Sequence, residues 1–507
     1  MKTNKIIIVG GGSAGWMAAA TLISQFPNKD ITVIESPNVP TVGVGESTLG
    51  QINKWLDLLD IKDEDFMPYT DASYKLSIRF EDFYKKDDGG FHYPFGSVVE
   101  NEKLGLKQLW FLKKYLKPET PITDYANSLY QNMALVNNNT LFKNENNELE
   151  NFDFKYDVAY HFDATKFGSW LKDQYCKPKG VKHILEDVKT IETNEDGIIS
   201  LNNTHKADMY IDCTGFKSML LGDTLKEHFN SYSHLLPNNK AWATRVPYKN
   251  KENELVPYTN CTAIENGWIW NIPSWERIGT GYVYSDKYVS DEEALNEFKR
   301  HLDKKGSDYS KSEFKNIKMR VGIHDRLFVK NVCAIGLSAG FIEPLESNGL
   351  LSVHEFLINL VKVMKRGNED TISQWDRDSF NMVCKTFFDS FAEFVAMHYS
   401  LSHREDTKYW KDISNKSFLK NTIAKNKDFE LNASAKMNDN LIYRNDGGIH
   451  CISTGMRYFG VDVLKDNSAK SNILMIGLRE KEVNKWNIIC KDKPKLLQFL
   501  KDNIHND

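Results

Sequence analysis

The chain opens with a short apolar strand that runs directly into a glycine-rich turn. Lys5–Val9 is rich in β-branched residues, as expected for a strand buried on both faces of a sheet. Glycines follow at the three positions of the G-x-G-x-x-G pattern, namely Gly10, Gly12 and Gly15. The first glycine permits a tight turn, the second lets the backbone approach a pyrophosphate, and the third lets a helix pack on the strand. The pattern predicts a dinucleotide-binding unit, with a plain glycine-rich turn as the alternative.

The segments that flank the glycines agree with this interpretation. Residues 16–22 favour a helix, whose amino end at Ser13 and Ala14 would point free N–H groups at a phosphate. Residues 31–34 form a second apolar strand that ends in Glu35. This acid lies about 20 residues beyond the glycines, where it would bind an adenosine ribose hydroxyl. Two strands, a glycine turn and a following acid together predict a Rossmann-type fold.

Composition and charge exclude several classes of protein. The chain has 507 residues, of which 41% are hydrophobic, enough for a large core in two or more structural units. A net charge of -4 with scattered lysines argues against a nucleic-acid partner. No run approaches the ~20 apolar residues that span a bilayer, and the amino terminus enters a strand without a recognisable export signal. We therefore expect a cytoplasmic protein with no membrane association.

The cysteines favour neither a disulfide framework nor a metal site. They are odd in number, widely spaced and without a C-x-x-C pair, so no zinc site and no other metal is predicted. A reducing cytoplasm fits this usage. The seven cysteines are Cys176, Cys213, Cys261, Cys333, Cys384, Cys451 and Cys490.

The α/β pattern is interrupted and then resumes. Residues 87–151 are polar and rich in Asn and Lys, which is typical of loops and a hairpin. Residues 241–286 alternate and are rich in aromatic side chains, which predicts an antiparallel sheet, and helical periodicity follows Leu350 to the end of the chain. Further strands are predicted at residues 181–185, 188–192, 197–201, 209–215 and 331–336.

These segments predict a discontinuous arrangement of two regions. The dinucleotide-binding module comprises residues 1–86, 152–230 and 315–365, and the substrate-binding region comprises residues 87–151, 231–314 and 366–507. Only one glycine fingerprint is visible, whereas reductases that take hydride from a nicotinamide and hold a flavin commonly have two such folds. Reduced flavin, or its reducing equivalents, is therefore expected to come from a separate protein.

Seven motifs stand out along the chain. They are residues 10–15, 43–48, 73–75, 212–216, 268–273, 343–347 and 404–407 with Trp410. Together they resemble the flavin-dependent halogenases of the tryptophan halogenase family. The resemblance implies an α/β fold with a Rossmann-type FAD-binding module like that of single-component monooxygenases, an antiparallel sheet and a helical C-terminal subdomain. It also implies an enzyme that uses reduced FAD, O2 and chloride, bromide or iodide to make hypohalous acid, with a separate NAD(P)H-dependent flavin reductase as partner.

The resemblance implies that Lys75 directs the halogen onto an electron-rich arene. Lysine suits this role because its amine can hydrogen-bond hypohalous acid or form a haloamine. Residues 74–80 alternate between apolar and polar, which predicts a strand with Lys75 on its more polar face. From that alternation alone, a solvated lysine is the ordinary interpretation.

The resemblance implies a second catalytic residue, Glu346, and a nearby halide site at Asn348 and Gly349. A carboxylate could orient the halogen species or accept the proton that the arene loses. The alternative is that Glu343 and Glu346 cap a helix that begins near Asn348. The family commonly has threonine at position 348, so Asn348 keeps the backbone donors but changes the wall of the halide pocket, which favours a larger halide.

The resemblance also implies residues that contact the cofactor and the substrate. Tyr93 and Phe95 stand where tryptophan halogenases have His-Pro-Phe, and stacking on them suits an indole or a phenol. Residues 441–450 form a short segment, with Tyr443 and Asp446, that does not match the aromatic and acidic groups by which the family holds the amino-acid end of tryptophan, so free tryptophan is not the expected substrate. Ser347 is also assigned to the substrate. The FAD contacts are Gly10, Gly12, Ser13, Ala14, Gly15, Glu35, Val44, Glu46, Ser47, Val188, Leu337 and Leu350.

Three interpretations stay open from the sequence. Trp268 and Trp270 could mark a halogenase, in which this motif lies near the flavin, or could pack an ordinary core on one face of a strand. An FAD-dependent aromatic monooxygenase shares the fold and is the alternative activity. A noncatalytic FAD-binding protein would bind flavin without turnover. A homo-oligomer is compatible with all three.

Overall fold

The computed structural model describes residues 1–39, 46–98, 106–367, 369–414, 446–458 and 470–506. The chain forms two compact units, each made of three segments. The first unit comprises Met1–Ala72, His161–Asn239 and Ile317–Ala392, and the second comprises Ser73–Tyr160, Lys240–Asn316 and Glu393–Asp507. Residues 73–86, which the sequence analysis grouped with the dinucleotide module, fall in the second unit.

The strands are short and distributed along the chain. They are β1 (Lys5–Val9), β2 (Asp30–Glu35), β3 (Glu46–Ser47), β4 (Ser73–Lys75), β5 (Ser77–Glu81), β6 (Gly90–Pro94), β7 (Ala159–Phe162), β8 (Lys182–Leu185), β9 (Ile191–Asn194), β10 (Gly197–Leu201), β11 (Met209–Asp212), β12 (Phe229–Ser231), β13 (Lys240–Pro247), β14 (Tyr258–Ile264), β15 (Gly267–Pro273), β16 (Arg277–Tyr284), β17 (Lys315–Lys318), β18 (Gly322–His324), β19 (Phe328–Val329), β20 (Val332–Ala334) and β21 (Gly340–Phe341).

The longest of the described α-helices follow residue 350. They are α1 (Ser13–Gln25), α2 (Ile52–Leu59), α3 (Asp63–Phe66), α4 (Leu106–Leu116), α5 (Asp124–Leu129), α6 (Asn132–Asn138), α7 (Ala164–Trp170), α8 (Lys251–Glu254), α9 (Asp291–Lys305), α10 (Leu351–Arg366), α11 (Gln374–Ser400), α12 (Lys408–Ile413), α13 (Asp446–Gly455), α14 (Lys470–Lys491) and α15 (Leu496–Leu500). Short 3-10 or π turns lie at Met67–Tyr69, Leu171–Cys176, Lys177–Lys179, Gly215–Lys217, Met219–Thr224, Gly336–Ser338, Pro344–Glu346 and Lys501–His505.

The first unit is built on a six-stranded sheet in the order β19-β20-β11-β1-β2-β8. All neighbours are parallel except β19 and β20, which are antiparallel. Ile6, Ile7 and Ile8 of the central strand β1 are buried, as the β-branched run predicts. Because β1 lies between β2 and β11, the glycine turn at its carboxyl end opens at the point where the strand order reverses, which is where ligands bind in such sheets.

The second unit contains the predicted antiparallel sheet. Six of its strands follow the order β13-β16-β15-β14-β5-β6, and only β14 and β5 pair in parallel. Helix α9 packs on one face and completes an apolar core. That core consists of Ile264, Ile269, Tyr282, Tyr284, Val289, Ala294, Phe298 and Leu302. The predicted α/β fold, with its antiparallel sheet and helical C-terminal part, is therefore confirmed.

Two local predictions are wrong. The polar stretch at residues 87–151 contains the strand β6 and three helices, α4, α5 and α6, instead of loops and a hairpin. Its asparagines serve helix ends: Asn139 ends α6 with a left-handed backbone, and Asn138 Nδ2 donates to the Ala134 carbonyl. The strand predicted at 188–192 is displaced to Ile191–Asn194, and residues 188–190 are irregular.

All seven cysteines are buried free thiols. Within the described ranges, no helix combines the length and apolar character that crossing a membrane requires.

Candidate functional site

The turn after β1 has a backbone geometry that requires glycine. Gly10 has a φ of +114°, and a Cβ on it would lie 2.2 Å from the carbonyl oxygen of Cys213, just past β11. A Cβ on Gly15 would lie 1.9 Å from the carbonyl oxygen of Gly10. Two glycines are therefore needed for the start of α1 to approach β1 and β11.

The amino end of α1 is arranged to receive an anion. Gly12 precedes the helix in an extended conformation, and no side chain caps the helix. The N–H groups of Ser13, Ala14 and Gly15 have no acceptor within the helix, because the first turn has no preceding carbonyls to bond. The helix dipole adds partial positive charge at the same place. The phosphates of a dinucleotide fit this end of the helix.

A cavity that includes Glu35 lies beside the glycine turn. Glu35 Oε2 lies 2.8 Å from His183 Nε2. The His183 ring packs edge-on against the Trp16 ring, with 5.2 Å between the ring centroids. A Cβ on Gly11 would lie 2.2 Å from Glu35 Cδ, so the acid sits directly over the glycine turn. The cavity is lined by Gly11, Ser13, Trp16, Glu35, Ala164, Thr165, Gly168, Ser169 and Lys172.

Sequence reasoning missed three features of this cavity. Gly11 occupies a variable position of the fingerprint, and only its contact with Glu35 shows that a side chain does not fit there. His183 in β8 and Lys172 after α7 lie far from the glycines in the sequence, and no local pattern connects them to the turn. The turn, the helix end and the cavity together fit the adenosine diphosphate part of FAD.

Four of the predicted site residues meet in a second cluster of the first unit. Ser347 Oγ donates to Ser47 Oγ at 3.1 Å. Glu46 Oε2 lies 3.2 Å from the position that a Cβ on Gly349 would take. Burial, assisted by the nearby Asp163 carboxylate, raises the pKa of Glu46 to about 7. A carboxyl group that keeps its proton near neutrality therefore lies against the turn at residues 347–349.

The raised pKa of Glu46 predicts a pH-dependent stability. Because the folded protein holds this proton more tightly than the unfolded chain, its contribution is complete below about pH 4.5 and is lost as the pH rises through about 7. We expect Glu46→Gln to gain about 1–3 kcal/mol in unfolding free energy, relative to the parent, between pH 4.5 and pH 8. Denaturant unfolding of the FAD-free proteins across that range measures the difference. Glu64→Gln, at an exposed position, is the control, and parallel curves for Glu46→Gln and the parent would contradict the prediction.

Glu346 lies in a short 3-10 turn, Pro344–Glu346, and is fully buried. Helix α10 begins at Leu351 and has no acidic residue in its first turn. The alternative that Glu343 and Glu346 only cap this helix is therefore wrong. Asn348 is 6% exposed, and neither atom of its side-chain amide has a hydrogen-bond partner among the residues that the structure describes. Since an unpaired buried amide is costly, this turn fits a bound polar species such as a halide.

The other predicted FAD contacts are scattered over the first unit. Leu337 is half-buried in the turn Gly336–Ser338, which packs on α1, because a Cβ on Gly336 would lie 2.8 Å from Ala14 Cβ. Leu350 is buried immediately before α10. Val188 is half-buried in the irregular segment between β8 and β9. Val44 lies outside the described residues.

Lys75 is fully buried, with 0% of its surface exposed. The solvated-lysine alternative is therefore wrong, since the strand is covered on both faces. The predicted strand is interrupted at Leu76. Ser73 Oγ donates to the Pro273 carbonyl at 2.6 Å, and the Leu76 N–H donates to the Pro257 carbonyl at 2.7 Å. Hydrogen bonds on both sides of Lys75 thus fix its backbone in the second unit.

The Lys75 ammonium lies over an aromatic ring that the sequence analysis assigned to the substrate. Its Nζ is 5.0 Å from the centroid of Phe95, within the range of a cation–π interaction. Tyr93 meets Phe95 edge to face at 6.0 Å and Phe394 at 6.3 Å. The structure therefore brings the predicted Lys75, Tyr93 and Phe95 together in one aromatic cluster.

Trp268 and Trp270 are both buried on the same face of β15, with ring centroids 6.2 Å apart. The Trp270 ring packs directly on Gly281 of β16, where a Cβ would lie 2.2 Å from ring carbons. This is the packing that the ordinary core interpretation predicts. The same strand ends at Pro273, which accepts the hydrogen bond from Ser73 two residues before Lys75. The motif therefore also supports the backbone of the Lys75 strand.

Two other side chains near this region, His92 and Trp110, have structural hydrogen-bond partners. A third, His450, lies close to a segment that the structure does not describe. His92 Nδ1 lies 3.0 Å from Ser77 Oγ, and burial, with Arg79 as second cause, lowers the pKa of His92 to about 3, so it is neutral. Trp110 Nε1 donates to Asp124 at 3.0 Å. His450 is fully buried in α13, and residues 441–445 before it are outside the described part of the chain.

One unit with a Rossmann-type flavin-binding turn and a second unit with a buried lysine on an aromatic sheet define the class of the protein as a flavoenzyme. The chain belongs to the tryptophan halogenase family, whose model matches residues 5–463.

Relatives of known structure or name are similar over most of their length. The chain is 34% identical over 442 residues to tryptophan 6-halogenase SttH of Streptomyces toxytricini, covering 82% of this chain and 81% of that protein. The apo structure of VirX1 matches with 39% identity and a TM-score of 0.90 over 100% of both chains. Tar14, a tryptophan C-6 flavin-dependent halogenase from taromycin biosynthesis, matches with 29% identity and a TM-score of 0.84 over 98% and 99% of the chains.

Family membership establishes the reaction class. The protein is a flavin-dependent halogenase that uses reduced FAD and a halide, depends on a separate flavin reductase and acts on an aromatic substrate. The monooxygenase and noncatalytic alternatives are therefore set aside.

Proposed function

We propose that this enzyme halogenates an electron-rich indole or phenol and that Lys75 directs the halogen. The observation that carries the proposal is the burial of the Lys75 ammonium over the Phe95 ring at 5.0 Å. A flat arene stacked beside Phe95 and Tyr93 would lie next to the amine. A lysine that is hidden from solvent and supported by hydrogen bonds on both sides is suited to hold a reactive species in one position.

Lys75 acts on hypohalous acid in this proposal. Reduced FAD (FADH2), when bound, would supply two electrons and two protons, with which O2, halide and one further proton give hypohalous acid and water. Lys75 holds the hypohalous acid by a hydrogen bond or as a haloamine, and the arene carbon attacks the halogen. The new carbon–halogen bond forms as the halogen–oxygen or halogen–nitrogen bond breaks. The arene then loses its proton, so that the products are the haloarene and water.

Glu346 is the second catalytic residue of the proposal. Its burial in the Pro344–Glu346 turn supports the role, because a carboxylate removed from water interacts strongly with positive charge that develops on an arene. The same carboxylate can accept the proton that the arene releases. Asn348 and Gly349 form the proposed halide site, supported by the buried amide of Asn348, which has no hydrogen-bond partner among the described residues.

We further propose that the first unit is the FAD-binding module. Gly10, Gly12, Ser13, Ala14 and Gly15 would hold the pyrophosphate, and Glu35 the ribose. Ser347 would contact the substrate. Val44, Glu46, Ser47, Val188, Leu337 and Leu350 would contact FAD; the positions of Glu46 and Ser47 beside the 347–349 turn support this assignment.

The proposed substrate is not free tryptophan. Tryptophan is the substrate printed in the names of SttH and Tar14. In this chain Tyr93 replaces the histidine usual in tryptophan halogenases. Residues 441–450 form a short segment, with Tyr443 and Asp446, that does not match the one by which those enzymes hold the amino-acid end of tryptophan. A larger or less polar arene fits these differences.

Mass spectrometry tests the proposed function. Purified enzyme is incubated with FAD, a flavin reductase, NADH and each halide in turn, with catalase present and a panel of indoles and phenols that includes free tryptophan. We expect halide-dependent mass increases on non-amino-acid arenes and little product from tryptophan. Efficient halogenation of free tryptophan would overturn the substrate proposal, and hydroxylated products would argue against directed halogenation.

Asn348 stands where the family commonly has threonine, and this difference predicts a halide preference. We expect the enzyme to favour bromide or iodide over chloride, and Asn348→Thr to shift the bromide-to-chloride selectivity towards chloride by about 5–10-fold, which corresponds to about 1 kcal/mol. Competition with equimolar halides, read by product mass, measures the ratio. Asn359→Thr, at a half-buried asparagine on α10, is the matched control, and an unchanged ratio in Asn348→Thr would remove this residue from halide selection.

A further inference from the structure

The side-chain amide of Asn132 joins the backbone of Phe95 to the backbone of Leu76, the residue that follows Lys75. Asn132 Nδ2 donates to the Phe95 carbonyl at 2.7 Å and to the Leu76 carbonyl at 3.2 Å. The Phe95 N–H donates to the same Leu76 carbonyl at 2.9 Å. Leu76 directly follows Lys75. Three hydrogen bonds therefore tie the backbone next to Lys75 to the backbone of Phe95.

The orientation of this amide is determined by its surroundings. Both nearby backbone atoms are carbonyl oxygens, so only the NH2 end of Asn132 can face them. Asn132 is 3% exposed at the start of α6, and its Oδ1 has no hydrogen-bond partner in the part of the chain that the structure covers. The residue is therefore held by two donor bonds, one to the carbonyl of Phe95 and one to the carbonyl of Leu76, the residue after Lys75.

The pairing geometry between Lys75 and Phe95 depends on their backbones. Leu76 interrupts the strand, but Ser77 still pairs with Pro94, and the Phe95 N–H donates to the Leu76 carbonyl. A lysine side chain has four rotatable bonds, and a small shift of either backbone would change where its ammonium lies relative to the ring. Asn132 reinforces this backbone contact with its own hydrogen bonds to the Leu76 and Phe95 carbonyls.

We infer that Asn132 is a positioning residue, which sets where Lys75 delivers the halogen on an arene stacked at Phe95. This inference rests on the proposed roles of Lys75 and Phe95. Asn132 does not touch the reacting atoms; it acts through the two backbones that it joins. Its loss would therefore affect the place and efficiency of halogen delivery, and leave FAD binding and hypohalous acid formation intact.

Asn132→Asp tests the inference because it keeps the shape and removes both donors. The readouts are the regioisomer distribution, the haloarene formed per FADH2 oxidised, and the hypohalous acid trapped by monochlorodimedone in the absence of arene. We expect about a ten-fold fall in haloarene yield, the effect on a rate of losing about one hydrogen bond, with a mixture of isomers. Trapped hypohalous acid and FAD affinity should stay at the parental level.

A matched control and a milder variant accompany this test. Asn138→Asp makes the same change on the same helix, where the amide serves only the Ala134 carbonyl, and should leave product and isomers unchanged. Asn132→Ser keeps one donor and covers the case in which Asn132→Asp fails to fold. Parental yield and isomer distribution in whichever Asn132 variant folds would overturn the inference.

Lys75→Ala, assayed in parallel, separates this inference from the proposed function. If Lys75→Ala loses the haloarene while the Asn132 variants match the parent, only the inference about Asn132 fails. If Lys75→Ala also matches the parent, the proposed role of Lys75 fails, and the role of Asn132 fails with it.

Discussion

Lys75→Ala is expected to reduce haloarene formation by about 100-fold or more, the scale on which removal of a catalytic group acts. The physical reason is that no amine would then remain beside Phe95 to hold the halogen near the arene. FAD affinity and the rate of flavin oxidation should be unchanged, because Lys75 belongs to the second unit and the dinucleotide-binding turn to the first. Product mass spectrometry and fluorescence titration of FAD measure the two effects separately.

Two variants make the Lys75 result interpretable. Lys75→Met retains most of the buried stem without the amine, so it separates the chemistry from the packing, and we expect it to be as inactive as Lys75→Ala. Lys251→Ala removes another lysine of the same unit that lies over an aromatic ring, 3.3 Å from the Trp275 centroid, and should keep full activity. Full product yield from Lys75→Met would exclude the amine from the mechanism.

Gly15→Ala is expected to abolish FAD binding and to lower the free energy of unfolding by about 2–4 kcal/mol. Its Cβ would lie 1.9 Å from the Gly10 carbonyl oxygen, a distance that no side-chain rotation relieves. The helix must therefore move away from β1, and the N–H groups at its start move with it. Fluorescence titration of FAD and denaturant unfolding measure the two consequences.

Gly477→Ala is the matched control for this substitution. Gly477 also lies within a helix, α14, but a Cβ there would meet no atom within 4 Å. We expect this variant to bind FAD normally and to gain about 0.5–1 kcal/mol in the free energy of unfolding, because alanine has a higher helix propensity than glycine. Normal FAD binding by Gly15→Ala would show that close packing at the turn does not govern the cofactor site.

Local sequence patterns gave correct predictions where a structural feature depends on residues within one short segment. Lys5–Val9, the glycine turn and Glu35 were predicted from adjacent residues, and the structure has the strand, the turn and the acid in that order. The alternation at residues 74–80 did not reveal the burial of Lys75. Alternation shows which residues differ in polarity, but it does not show whether a second layer of the structure covers the polar face. Lys75 is buried for that reason. The Asn-rich stretch failed because asparagine also ends helices, as Asn139 does.

The sequence by itself determined the fold class, the position of the dinucleotide turn and the family, because strand periodicity, glycine spacing and motif residues are properties of neighbouring positions. Only the tertiary structure decided which distant residues meet. Phe95 reaches Lys75, Asn132 joins their backbones, and His183 reaches Glu35 through contacts between segments separated by 20 to 148 residues. Such contacts depend on how the sheets and helices pack, and packing depends on the whole chain and leaves no signal in any one segment.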